Sequence, residues 1–113
     1  LNRLRIEKFD GVDFEILPVD QMVPAPGQGA IAVQTRVADA KKFSVLGDPE
    51  TEWSVQLERK ILEGMGGGCQ VALGAHVQAD KLYFYHPNTE IIEIEIKNRS
   101  DDEIVKELVE RTK

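Results

Sequence analysis

A chain of 113 residues is long enough for one compact core and short for a complete multi-step enzyme, so one domain with an appendage is the starting expectation. With 20 acidic against 14 basic side chains its net charge is −6, which repels polyanions at long range and argues against nucleic acid as a partner. Apolar residues (42%) and charged residues (30%) stand in ordinary globular proportion. The longest apolar run falls far short of the about 20 residues that cross a bilayer, so no membrane segment is expected.

The single cysteine rules out an internal disulfide framework and a multi-thiolate metal site, and it suits a reducing cytoplasm. The chain opens on Leu1 without a recognisable leader and reads as a piece of something longer.

In chain order, residues 1–6 resemble the end of a helix, and Phe14, Ile16, Leu17 and Val19 suit a short strand. Pro24-Ala25-Pro26-Gly27-Gln28-Gly29 follows: two prolines fix φ, two glycines open positive φ, and the run reads as a hinge or ligand loop. Residues 30–35 are small, apolar and β-prone enough for a buried strand. Residues 37–46 suit a short helix closed by Gly47, and Asp48-Pro49 supplies an N-cap with proline at the first helical position.

The helix so opened, over 49–63, carries Trp53, Leu57, Ile61, Leu62 and Met65 toward one face. Glu52, Gln56, Glu58, Arg59, Lys60 and Glu63 fall largely opposite; the stripe is read as core, with Gly64 and Gly66 to Gly68 ending the helix. Residues 71–79, 81–86 and 90–97 are three β-rich runs separated by Asp80 and by Pro87-Asn88-Thr89, which predicts an antiparallel meander. In the third, Ile92, Ile94 and Ile96 alternate with Glu93, Glu95 and Lys97, so one sheet face is dry. Ser100-Asp101-Asp102-Glu103 is a capping box ahead of Ile104, Val105, Leu108 and Val109, and predicts a final amphipathic helix. The fold class is therefore α+β: a small domain from about Asp48 onward, with a three-stranded antiparallel sheet packed against helices, preceded by a remnant of α/β domains.

The chemistry-bearing segment is Gly66-Gly67-Gly68-Cys69-Gln70. Three consecutive glycines cost backbone entropy and leave a thiol unshielded, although an inert half-buried cysteine after a glycine-rich helix exit fits the same residues. A nucleophilic thiol needs a histidine base, and His76 and His86 both fall in strands, where a structural histidine is the commoner reading. A redox sensor usually needs a resolving cysteine, which the chain lacks. Attachment of a prosthetic group is the stronger functional reading, and no metal site or catalytic residue is expected.

Glu58-Arg59, Leu62, Gly66-Gly67-Gly68-Cys69-Gln70-Val71 and Gly74 resemble the E-R-x-x-L and G-G-G-C-Q-V-P-[IL]-G signature of hydroxymethylbilane synthases (porphobilinogen deaminases), in order and spacing. Pro24 to Ala30 with Arg36 is similar to the same family's P-A-x-G-Q-G-A segment and following arginine; Ala72 departs from it where proline is usual.

The resemblance implies a three-domain parent, with residues 1–23 ending the second α/β domain, 24–47 a hinge and return into the first, and 48–113 the cofactor-anchoring C-terminal domain. It implies a transferase that condenses four porphobilinogen molecules, with loss of ammonia, onto a dipyrromethane cofactor held as a thioether on Cys69. Gly67, Gly68, Gln28, Gly29 and Arg36 would stand near that cofactor. Porphobilinogen and the growing pyrrole chain would be the parent's ligands. The arginines and aspartate of the reaction would lie upstream, leaving this piece inactive. Residues 30–35, without their parent sheet, are expected to pair with another copy of the chain, swap or disorder. The alternative is a small interaction or redox-regulated module with a reactive Gly-Cys loop.

Overall fold

The computed structural model describes residues 10–67 and 72–113. Its order is a helical stretch at 37–46, helix α2 (Pro49–Gly64), strands β1 (Gly74–Gln78), β2 (Lys81–Tyr85) and β3 (Ile92–Glu95), and helix α3 (Asp101–Thr112). The helical stretch holds one α-turn, α1 (Ala40–Phe43), between 3-10 turns at Val37–Asp39 and Ser44–Leu46.

Helix α2 starts where Asp48 accepts from the Thr51 backbone N–H at 3.0 Å, with Pro49 just inside. The same contacts, the Thr51 hydroxyl first, hold the Asp48 carboxyl below its ordinary range. The helix ends in a Schellman motif: Gly67 N–H donates to the Leu62 carbonyl and Gly66 N–H to that of Glu63, each at 3.0 Å. That geometry needs a left-handed residue at position 66, and Gly66 has φ +95°.

The strands form the expected meander in the order β1-β2-β3, with Ala75 opposite Phe84, Val77 opposite Leu82, and Leu82 opposite Ile94. Alternation puts these residues on one face, where Leu57 and Ile61 of α2 and Ile104 and Leu108 of α3 close the core. Helix α3 opens with the capping box: Glu103 N–H donates to Ser100 Oγ at 3.3 Å and Ser100 N–H to Glu103 Oε2 at 3.2 Å. Lys60 reaches Asp101 at 2.7 Å and ties α2 to the start of α3. The α+β class and the strand and helix order agree with the sequence reading.

Residues 10–47 behave differently: none is buried, and Ile16, Ile31, Val33, Val37, Val45 and Leu46 are exposed. The strands expected at 14–19 and 30–35 do not form: both stretches are irregular, with Val19 in a turn and no ladder partner among the described residues, because a strand needs a neighbour's amides and carbonyls to exist. The single helix expected over 37–46 is broken into three short turns, since no tertiary contact rewards a longer one. The expected helix end at 1–6 lies outside the described residues.

Candidate functional site

Helix α2 places one carboxylate inside the molecule. Glu58 is 4% exposed, beside the fully buried Leu57 and Ile61. Its Oε1 accepts from the Val77 N–H of β1 at 2.8 Å, and its Oε2 accepts from the Gly27 N–H at 2.7 Å. Two backbone donors thus replace water around both oxygens. His76 Nδ1 stands 3.6 Å from Oε1, beyond hydrogen-bond range.

Through Glu58 the Pro-Gly run is fastened to the sheet and helix behind it. The Ala75 N–H donates to the Pro24 carbonyl at 2.9 Å, extending the edge of β1 by one bond. Gly74 allows the approach: a Cβ there would meet the Val23 carbonyl oxygen at 2.8 Å. Within the run, the Gln28 N–H donates to the Ala25 carbonyl at 3.0 Å, and the Ala25 N–H donates back to Gln28 Oε1 at 3.1 Å. The Gln28 side-chain oxygen thus accepts within its own turn, while its NH₂ has no hydrogen-bond partner among the described residues. Gly29 has φ +88° and open space around it. A cleft of about 330 Å³ lies here, lined by Gln28, Gly29, Thr51, Ser54, Glu58 and His76 among others.

Arg36 is not brought to that cleft. Its side chain is 91% exposed, its Nε stands 3.4 Å from Asp39 Oδ2, and it lines a separate recess with Val33, Thr35 and Phe43. Gly67 sits at the exit of α2 with φ +62° and, like Gly66, nothing within 4 Å of where a Cβ would be. Gly68 and Cys69 lie outside the described residues. Among the described residues no group of three His, Cys, Asp or Glu side chains could hold a metal, and no helix is long and apolar enough to cross a membrane.

Sequence reasoning missed Glu58, which it put on the wet face of α2. The available signal was its place between Leu57 and Ile61, at the margin of the apolar stripe. Trp53 errs in the other direction: assigned to the core, it is 41% exposed.

The first part of the chain is similar to proteins described as holding a dipyrromethane. The family model described as "Porphobilinogen deaminase, dipyromethane cofactor binding domain" matches residues 1–44, ending ahead of α2 and Cys69. Porphobilinogen deaminases are also the curated relatives. The one from Chloroherpeton thalassium is 38% identical over 74 residues, covering 63% of this chain and 24% of the relative. That from Chlorobaculum tepidum is 41% identical over 75 residues (64% and 24%), and that from Brevibacillus brevis 39% over 71 residues (60% and 23%). Over these stretches the chain is similar to porphobilinogen deaminases, and it spans about a quarter of the length of the curated relatives it matches. No solved structure matches. Gly66 and Gly67, ahead of Cys69 in the sequence, have positive φ and no described atom within 4 Å of where a Cβ would be, which suits approach by a flat group such as a dipyrromethane.

Proposed function

We propose that this chain is the C-terminal part of a porphobilinogen deaminase, and that Cys69 anchors the dipyrromethane cofactor as a thioether. The carrying observation is the Gly66-Gly67-Gly68-Cys69-Gln70-Val71 run, eight residues after Glu58 and at the spacing of the family's signature. A thioether suits a permanent anchor because sulfur bonds carbon once and then stays fixed, while the bound group supplies the primer on which pyrroles are joined. In this reading residues 1–23 end the second α/β domain, 24–47 link back to the first, and 48–113 present the cofactor in a cytoplasmic enzyme that condenses porphobilinogen. Gly67 and Gly68 leave room beside the sulfur, Gln28 and Gly29 form a turn on the same unit, and Arg36 serves the cleft through a domain this chain lacks.

The acidic balance supports inactivity of the chain alone, because a polycarboxylate substrate needs a basic cleft, and 20 acidic against 14 basic residues do not build one. The exposed apolar side chains between Ile31 and Leu46 support the loss of a covering domain, and the free chain self-associates through residues 30–35.

The test is intact mass and peptide mapping of the full-length holoenzyme. A dipyrromethane-sized addition on Cys69, absent from a Cys69→Ser variant, is the expected result. An active holoenzyme with Cys69 unmodified, or carrying only reversible glutathione, overturns the assignment. The chain alone, incubated with porphobilinogen, gives no uroporphyrinogen.

A further inference from the structure

The run from Val23 to Gly29 is held by contacts of three kinds. Glu58 grips the Gly27 amide from the middle of α2, the Ala75 amide of β1 grips the Pro24 carbonyl, and Val23 lies against the bare backbone of Gly74. Burial follows these contacts: Val23, Pro24, Pro26 and Gly27 are half-buried, while residues 28–34 are exposed throughout. Two prolines stiffen the gripped stretch from within.

Downstream, Gly29 has positive φ, the Ala30 N–H donates back to the Gly27 carbonyl at 3.2 Å, and 30–36 form no strand or helix. The stretch returns at Gly47, exposed, one residue before Asp48 is fixed by its cap on Thr51.

We infer that residues 23–29 are a strap clamped by Glu58 to the 48–113 unit, so that the Gln28-Gly29 turn is held in place on that unit. The Pro-Gly run, the obvious hinge in the sequence, is the fixed part. Glu58 is a positioning residue: it sets where the Gln28-Gly29 turn stands relative to the helix whose exit leads to Cys69. The inference stands on contacts among described residues and holds whether or not Cys69 carries a cofactor. Its failure therefore leaves the cofactor assignment untouched, and the reverse.

Amide hydrogen exchange on the whole chain tests it residue by residue. At a dilution where the chain is monomeric, the Gly27, Ala75 and Val77 amides are expected to exchange slowly, and those of 31–35 fast. In a Glu58→Gln variant the carboxamide offers one acceptor oxygen where two amides converge. Either Gly27 or Val77 then loses protection by at least about tenfold, while the α3 amides do not change. A Gly74→Ala variant, which pushes on Val23 without touching the core, is expected to free Gly27 selectively, so the test does not depend on Glu58 variants folding. Exchange at Gly27 as fast as at 31–35 in the native chain, or full protection at both amides in Glu58→Gln, overturns the clamp.

Discussion

At Ala79 the β1–β2 hairpin turns through a left-handed residue, φ +53°, between Gln78 and Lys81, which pair across the ladder. An alanine there crowds its Cβ against the backbone, at a cost of about 1–2 kcal/mol. Glycine removes the crowding but gives back part of the gain as unfolded-state entropy. Ala79→Gly is therefore expected to stabilise the chain by about 0.5–1 kcal/mol, read as a raised urea midpoint at unchanged m-value. A lower midpoint would show that the turn does not carry this strain. Asn98, at φ +60°, pays less for the same conformation because its short polar side chain tolerates it. The break at Asp80 is legible in the sequence, but Ala79 reads as the end of the first strand, because alanine gives no hint of a left-handed turn.

Helix pairing is decided at the scale of elements. Helices α2 and α3 cross where Gly64 has no side chain: a Cβ there would stand 2.5 Å from Cγ1 of Val105. By propensity alone, alanine at position 64 would favour the helix by up to about 1 kcal/mol. Contact decides otherwise, since overpacking at a tight crossing costs about 1–3 kcal/mol. Gly64→Ala is expected to lower stability, and Val105→Ala to relieve most of that loss in the double variant, which a double-mutant cycle measures as non-additivity. Additive losses would mean that the two residues do not meet. The sequence showed Gly64 only as part of a helix ending, because its second role depends on a residue 41 positions away. The capping box, the Asp48-Pro49 start and the three strands were readable, since each is encoded within a few neighbouring residues.

Over the whole molecule, pH acts through the carboxylates that the fold surrounds with donors. Glu107 of α3 accepts from Arg99 and from Arg111, each at 2.5 Å; the Arg99 contact above all holds its carboxyl below the ordinary glutamate range, burial opposes it, and the Arg111 contact adds to the lowering. A carboxyl whose folded pKa is depressed contributes stability above its unfolded value, about 4.3, and loses it as pH falls through the lowered folded value. The native chain is therefore expected to lose stability on acidification from about pH 6 to about pH 3 more steeply than a Glu107→Gln variant. Thermal melts across that range check it, and parallel curves would remove Glu107 as a contributor.

The same scale separates the two parts of the chain. From Asp48 onward hydrophobic periodicity, caps and turns agree with one another, and the sequence by itself determined the α+β unit, its element order and the resemblance to porphobilinogen deaminases. Only the tertiary structure decided that Glu58 faces inward, that Trp53 does not, and that the Pro-Gly run is fastened rather than free. The reason is physical: periodicity and capping are local, whereas a buried carboxylate is stable only where distant amides, here Gly27 and Val77, converge on it, and no pattern within α2 records where those amides will be.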